Sequence, residues 1–370
     1  MPIMSNDILH RIALTMVPHI GDVHAKMLLS RFGDACSVFK ASRRELEKLE
    51  GLGPVRAKAI RSFDGFQAAE DELAFTEKYQ ISILQFTDEC YPKRLHSCYD
   101  APILLYYKGE ADLNAQRILS VVGTRNHTRY GHDICKTLMQ ELEGSGILIV
   151  SGLAYGIDTL AHRHALSHGL PTVAALGHGL DRIYPSQNKS LAKQMLQNGG
   201  LITDFPSGTK PDRKHFPRRN RITAGICDGL VVIETGQKGG SVITADIANS
   251  YNKDVFAYPG AVHAEKSSGC HQLIRQHKAQ LVTSASDILE SLNWLREKPV
   301  RETIQSSLFA DLSADESGII RFLSQKSPVH LEELLMGYPM SASNMAGMLL
   351  NLEIKGLIQS LPGKMYKLKS

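Results

Sequence analysis

From residue 83 onward the chain alternates short apolar runs with amphipathic stretches of helical period. The runs are ILSVVG, ILIVSG, TVAALG, LITDF, LVVIE, DVFAYPG and AQLVT. They are nearly continuous in apolar residues, as strands covered on both faces are. Strand and helix in alternation predict an α/β fold, a doubly wound parallel sheet over residues 83–295.

The flanking regions read differently. Residues 1–82 give short helices, and VPHIGDVHAKMLLSRFG and LEKLEGLGPVRAKAIRSF each set a Gly-containing turn ahead of a helix. Gly51, Leu52 and Gly53 predict a tight hairpin, with Pro54 suited to the first helical turn. Two such units suggest a tandem helix-hairpin-helix module, whose turn amides can hold a backbone phosphate. Residues 296–312 are polar, contain Pro299 and lack a core pattern, which predicts a linker. Residues 313–370 predict helices near 314–324, 330–335 and 341–355, then a hairpin turning at Pro362 and Gly363, in the order of a winged helix.

Charge sharpens this picture. Residues 1–85 carry 11 basic and 11 acidic residues, so the helical module is expected to pack rather than to bind a polyanion. The whole chain nets +4, and residues 204–221 alone hold six basic and two acidic residues, the same excess. That segment, FPSGTKPDRKHFPRRNR from Phe205 onward, surrounds Phe216 with Lys210, Arg213, Lys214, Arg218, Arg219 and Arg221. Dense cations around an aromatic ring suit a polyanion whose bases can stack, which is single-stranded nucleic acid; the plainer reading is a solvated basic loop. The six cysteines are widely spaced with no CxxC pair, which disfavours a zinc ribbon or disulfide scaffold and fits a reduced, cytoplasmic compartment. Asp7 and His10 interrupt the apolar N-terminus, so no signal peptide is expected, and no apolar run reaches membrane-spanning length.

Parallel sheets bind ligands beyond the carboxyl ends of their strands. Gly123, Gly152, Gly156, Gly177, Gly179, Gly239 and Gly240 all follow predicted strands, several of them just before a helix. Glycine there lets phosphate approach the backbone, and the helix N-terminus presents free amides; Gly239, Gly240 and Ser241 make the best case. Arg125 adds a planar guanidinium that matches phosphate, and Lys189 a point charge. The chain contains neither a dinucleotide GxGxxG nor a GxxxxGK[ST] loop. Asp158 is expected to open a helix. His162, His164 and His168 are expected to pack or face solvent, because the His164–His168 spacing lacks a third ligand for a metal. Glu234 and Asp246 are expected to pair with the arginines.

The series GTRNHTRYG, SGLAYGIDTLAH, GHGLDRIYPSQN, FPRRNRITAG, GGSVITADIA, YPG and GCHQLI, in order from Gly123 to Ile274, closely resembles the DprA (Smf) family of DNA-processing proteins of natural transformation. The resemblance implies a Rossmann-like sheet flanked by a SAM-like helical domain and a winged helix. It implies a cytoplasmic, cofactor-free, metal-free and non-catalytic protein that binds and protects single-stranded DNA, loads the RecA recombinase and forms a homodimer. The family's phosphate-binding arginine falls on Arg125, its basic, aromatic and Asn positions on Arg213, Phe216 and Asn220, and its Gly-Ser turn on Gly240–Ser241. Arg219 and Arg221 lie beside them. The usual GxN is Gly269-Cys270-His271 here, which sets His271 aside, and the usual SExP is Thr203-Asp204-Phe205-Pro206. The competing enzymatic reading is a nucleotide phosphoribohydrolase of the lysine-decarboxylase-like type, but the GGSVITAD turn carries no Glu in the place that chemistry needs. A winged-helix transcription factor is disfavoured because residues 313–370 carry 6 basic and 5 acidic residues, and SASNMAGMLLNLEIK has no basic residue before Lys355.

Overall fold

The structure, a computed structural model, describes residues 2–295 and 312–368 apart from 327 and 339. The expected linker therefore lies almost wholly outside the described residues. Residues up to Leu295 form one compact unit and the C-terminal residues a second.

The first unit opens with six helices: α1 (Pro2–Met16), α2 (Asp22–Phe32), α3 (Ala35–Lys40), α4 (Arg43–Glu47), α5 (Gly53–Arg61) and α6 (Phe66–Lys78). Gly51 and Gly53, at φ +80 and +67, make the hairpin between α4 and α5. The Arg56 guanidinium bonds the carbonyls of His19 and Gly51, tying the two hairpins together. The core of this bundle takes in Ile103 and Leu104, so the helices are packed onto the sheet rather than standing free.

The sheet has nine strands: β1 (Ser82–Gln85), β2 (Leu104–Gly109), β3 (Ile118–Val122), β4 (Leu148–Ser151), β5 (Thr172–Ala175), β6 (Gly199–Thr203), β7 (Gly229–Val232), β8 (Asp254–Ala257) and β9 (Gln280–Leu281). Their order is β1-β2-β6-β5-β4-β3-β7-β8-β9. The seven strands β3 to β9 are parallel, as their apolar runs predict. The antiparallel strands β1 and β2, which extend the sheet beyond β6, are an addition to that expectation. Ile118 and Val122 of β3 point into one core and Leu119 and Val121 into the other, so the strand is apolar throughout because both faces are covered.

Helices α7 (Arg129–Glu141), α8 (Ile157–Ser167), α9 (Lys189–Met195), α10 (His215–Gly225), α11 (Gly240–Ser250), α12 (Ser268–Arg275) and α13 (Ala285–Ser291) complete the unit. Side chains of α10, α11 and α12 pack on one face of the sheet, and those of α7, α8 and α13 on the other. From β3 the chain steps outward through β4 and β5 to β6, then returns to β7 on the other side of β3. Strand order thus reverses between β3 and β7, where the departing loops splay apart and leave a crevice.

The second unit holds α14 (Ala314–Gln325), β10 (Val329–His330), α15 (Leu331–Gly337), α16 (Ala342–Ile354), β11 (Ile358–Leu361) and β12 (Met365–Leu368). Its three-stranded sheet and the hairpin turning at Gly363 give the winged helix. Met345 and Leu349 of α16 lie in its core.

Candidate nucleic-acid interface

A cleft of about 530 Å³ opens at the β3–β7 reversal. Its walls come from the loops after β3, β4 and β7 and from α10. The structure thereby brings together Gly123, Arg125, Gly152, Arg213, Phe216, Arg219, Asn220, Gly239, Gly240 and Ser241, which sequence reasoning drew from separate loops.

The loop after β3 is fixed at both sides. The Thr124 amide donates to the Glu234 carbonyl just beyond β7 (2.6 Å), and the Thr124 carbonyl accepts from Ile157 in α8 (3.1 Å). Gly156 sits at φ +79, and a Cβ there would strike the backbone of Thr124 and Arg125. Only glycine lets the start of α8 nest against that loop, so Gly156 supports Arg125 without itself lining the cleft. The exposed Arg125 guanidinium then lies over the Phe216 ring, 5.1 Å from its centroid. Phe216 in turn rests above Gly177, with Tyr184 tilted beside it at 6.3 Å. Sequence reasoning passed over Tyr184, because one ring in an irregular loop carries no periodic signal.

The basic segment, read in sequence as a loop, becomes helical from His215, and the helix sorts its arginines by phase. Phe216, Arg219, Asn220 and Thr223 follow at helical spacing and all line the cleft. Arg218 and Arg221 share another side. Arg221 Nη2 bonds Asp22 (2.7 Å) and Asp204 (2.6 Å), and Arg218 Nε bonds Asp204 (2.8 Å). Burial would lower the Arg221 pKa, but the two carboxylates outweigh it and hold the guanidinium firmly charged. Arg221 is therefore a buried ion-pair residue outside the cleft, a correction to its expected place. The mild SExP departure has a structural use, since Asp204 is a carboxylate that both arginines share, at closer range to Arg218 than Asp22 is.

Arg219 lines the floor and is itself only 5% exposed. Its Nη1 donates to the carbonyls of Gly152 and Ala175, its Nε to Asn220 Oδ1 (3.0 Å). A Cβ on Gly152 would collide with this guanidinium, so that glycine makes room for an arginine rather than for a ligand. Nearby Asp158, in the first turn of α8, is buried; burial pushes its carboxyl pKa up while the Arg219 charge pulls it down. Arg219 is thus held within the protein, with its charge opposed by Asp158.

The remaining expected residues separate in the same way. Ser241 donates its hydroxyl to Thr235 (2.7 Å), leaving its backbone amide as the polar group available at the start of α11. Lys214 and Lys189 are exposed, the one preceding α10 and the other beginning α9, and neither lines the cleft. Glu234 does not pair with an arginine: it accepts from the Thr128 amide (2.9 Å) and hydroxyl (2.7 Å), bracing the start of α7. Asp246 pairs with Lys278 instead. His162 is buried against the Thr172 hydroxyl (2.7 Å), and His271 bonds backbone at Gly260. Among the described residues no group of three or more His, Cys, Asp or Glu is placed to hold a metal, and no helix is long and apolar enough to cross a membrane.

The family model for DNA recombination-mediator protein A matches residues 82–293, and that for the DprA winged helix domain matches residues 307–364. The DNA processing protein DprA of Streptococcus pneumoniae is 45% identical over 59% of this chain and 77% of its own. The protein Smf of Escherichia coli is 33% identical over 86% of each chain. Among solved structures, DNA processing protein A of S. pneumoniae superposes with a TM-score of 0.57 at 35% identity, covering 73% of this chain and 98% of its own. The Helicobacter pylori protein, described for its single-stranded DNA binding mode, gives a TM-score of 0.53 at 29% identity, covering 58% and 96%.

Proposed function

The chain belongs to the DNA recombination-mediator protein A family, and on that premise we propose that its cleft grips single-stranded DNA without regard to sequence. The observation that carries this reading is the juxtaposition of Arg125 and Phe216 over the cleft. A guanidinium lying over an aromatic ring suits a phosphate at its edge and the neighbouring base stacked on the pair. The base must be unpaired to reach the ring, which disfavours duplex DNA. Stacking contributes about 1–3 kcal/mol per base and tolerates any base. The first amides of α11, at Gly240 and Ser241, supply donors for a second phosphate. Arg213, at the cleft wall, and Lys210 and Lys214 beyond it are exposed cations that track the backbone; Lys189 is assigned a similar peripheral part. Arg219 and Arg221 shape and brace the site rather than contact the strand.

The protein acts as a binder rather than a phosphoribohydrolase in this reading. Support comes from Glu234, which is buried and engaged by Thr128 instead of facing the glycine turn. We assign it a cytoplasmic place in recombination, as a homodimer that protects incoming single strands and delivers them to RecA, on the strength of family membership. The test is binding of a labelled oligothymidylate and of a duplex of equal length at fixed salt, with Arg125→Ala and Phe216→Ala. Strong preference for the single strand, reduced in both variants, is expected. Equal duplex affinity, or no loss in either variant, overturns the reading.

A further inference from the structure

The basic segment that runs from the end of β6 into α10 is held at two points by the N-terminal helices. At its start, Glu72 of α6 accepts from both the amide (2.8 Å) and the hydroxyl of Ser207. At its far end, Asp22, the first residue of α2, takes Arg221 with one carboxylate oxygen and the Ile103 amide with the other (3.0 Å). Both carboxylates are buried. A third anchor, Asp181 from the loop after β5, accepts from the Gly208 amide (3.0 Å).

The consequence is a division of charge. Arg218 and Arg221 are neutralised by Asp22 and Asp204. Lys210, Arg213 and Lys214, which lie between the two anchors, form no ion pair among the described residues and are exposed. Only cations that meet phosphates release counterions on binding. The carboxylates of α2 and α6 therefore touch neither end of the cleft, yet fix where the three available cations stand.

We infer that the N-terminal helical bundle is a positioning device for the strand-binding element, with Glu72 and Asp22 as its positioning residues; this rests on the single-strand reading above. Glu72 sets the loop carrying Lys210, Arg213 and Lys214, and Asp22 sets the rotation of α10, and with it the direction of Phe216. The bundle acts on nucleic acid through this contact although its own charge is balanced.

The experiment is titration of a labelled oligothymidylate with the full chain at several salt concentrations, for wild type, Glu72→Ala, Ser207→Ala, Asp22→Asn and Arg125→Ala. Partial unfolding lowers the active concentration but leaves the salt slope of the folded remainder unchanged, so the slope separates positioning from mere destabilisation. Glu72→Ala is expected to weaken binding about five- to tenfold and flatten the slope by about 0.7 for each cation that disengages. Ser207→Ala, which deletes one hydrogen bond of a half-buried loop residue and keeps the fold, is expected to move both quantities in the same direction by less. Asp22→Asn is expected to weaken binding through Phe216, with Asp22→Glu restoring it. Wild-type affinity and slope in Glu72→Ala, Ser207→Ala and Asp22→Asn, with Arg125→Ala impaired, overturn the positioning role alone. Wild-type binding by Arg125→Ala overturns the site itself, and this inference with it.

Discussion

The Arg125 guanidinium and the Phe216 ring, 91 positions apart in sequence, face each other at 5.1 Å across the mouth of the cleft. Because each fixes the other's surface, their effects on binding are expected to be coupled. Arg125→Ala and Phe216→Ala should each weaken oligothymidylate binding by about 1–3 kcal/mol. The double variant should fall short of the sum by about 0.5–1 kcal/mol, the usual size of an exposed cation–π contact. A double-mutant cycle from anisotropy titrations measures this; strict additivity would show that the two act separately.

Burial along the basic segment separates stability from binding. Arg219→Ala removes the charge that most favours the buried Asp158 carboxylate and the bonds to the carbonyls of Gly152 and Ala175, and is expected to destabilise the protein by about 1–3 kcal/mol. Arg213→Ala, at an exposed residue with no ion pair among those described, should change urea stability by less than about 0.5 kcal/mol. Its effect should appear instead as a salt slope shallower by about 0.7. Chemical denaturation and salt titration on both variants check the contrast, which a stable Arg219→Ala protein would contradict.

Two glycines should respond in opposite ways. No described atom lies within 4 Å of a Cβ placed on Gly240, so Gly240→Ala should fold normally and lose about 1 kcal/mol of strand affinity, as one amide–phosphate bond is screened. Gly156→Ala places a side chain at φ +79 against the loop of Arg125, and should lower stability by at least about 1–3 kcal/mol. Thermal melts paired with binding isotherms distinguish the two; full affinity in Gly240→Ala would remove α11 from the strand's path.

Acid should weaken the fold through His162. Burial pushes its pKa down to about 3, so the folded protein holds it neutral while the unfolded chain protonates near 6.5. Its contribution is complete above pH 6.5 and is lost as pH falls from there toward 3. Between pH 7 and pH 5 wild type should lose about 2 kcal/mol on this account. His162→Asn, although less stable at pH 7, should lose that much less over the same interval in urea unfolding. Equal pH dependence in the two proteins would assign the acid sensitivity elsewhere.

Residue pattern alone determined much of this protein. Continuous apolar runs such as ILSVV and LVVI can be satisfied only by strands covered on both faces, and glycines at strand ends mark where backbone must come close to something. The concentration of charge near Phe216 was equally legible. Tertiary structure decided which cations meet solvent. Arg218, Arg219 and Arg221 look alike in sequence, but turning FPRRNR into a helix sends Arg219 to the carbonyls of Gly152 and Ala175 and Arg221 to Asp22. Those partners lie 67, 44 and 199 positions away, and no local propensity encodes a contact over such distances. A guanidinium's role depends on the carboxylates and carbonyls that reach it, and only the folded chain sets those in place.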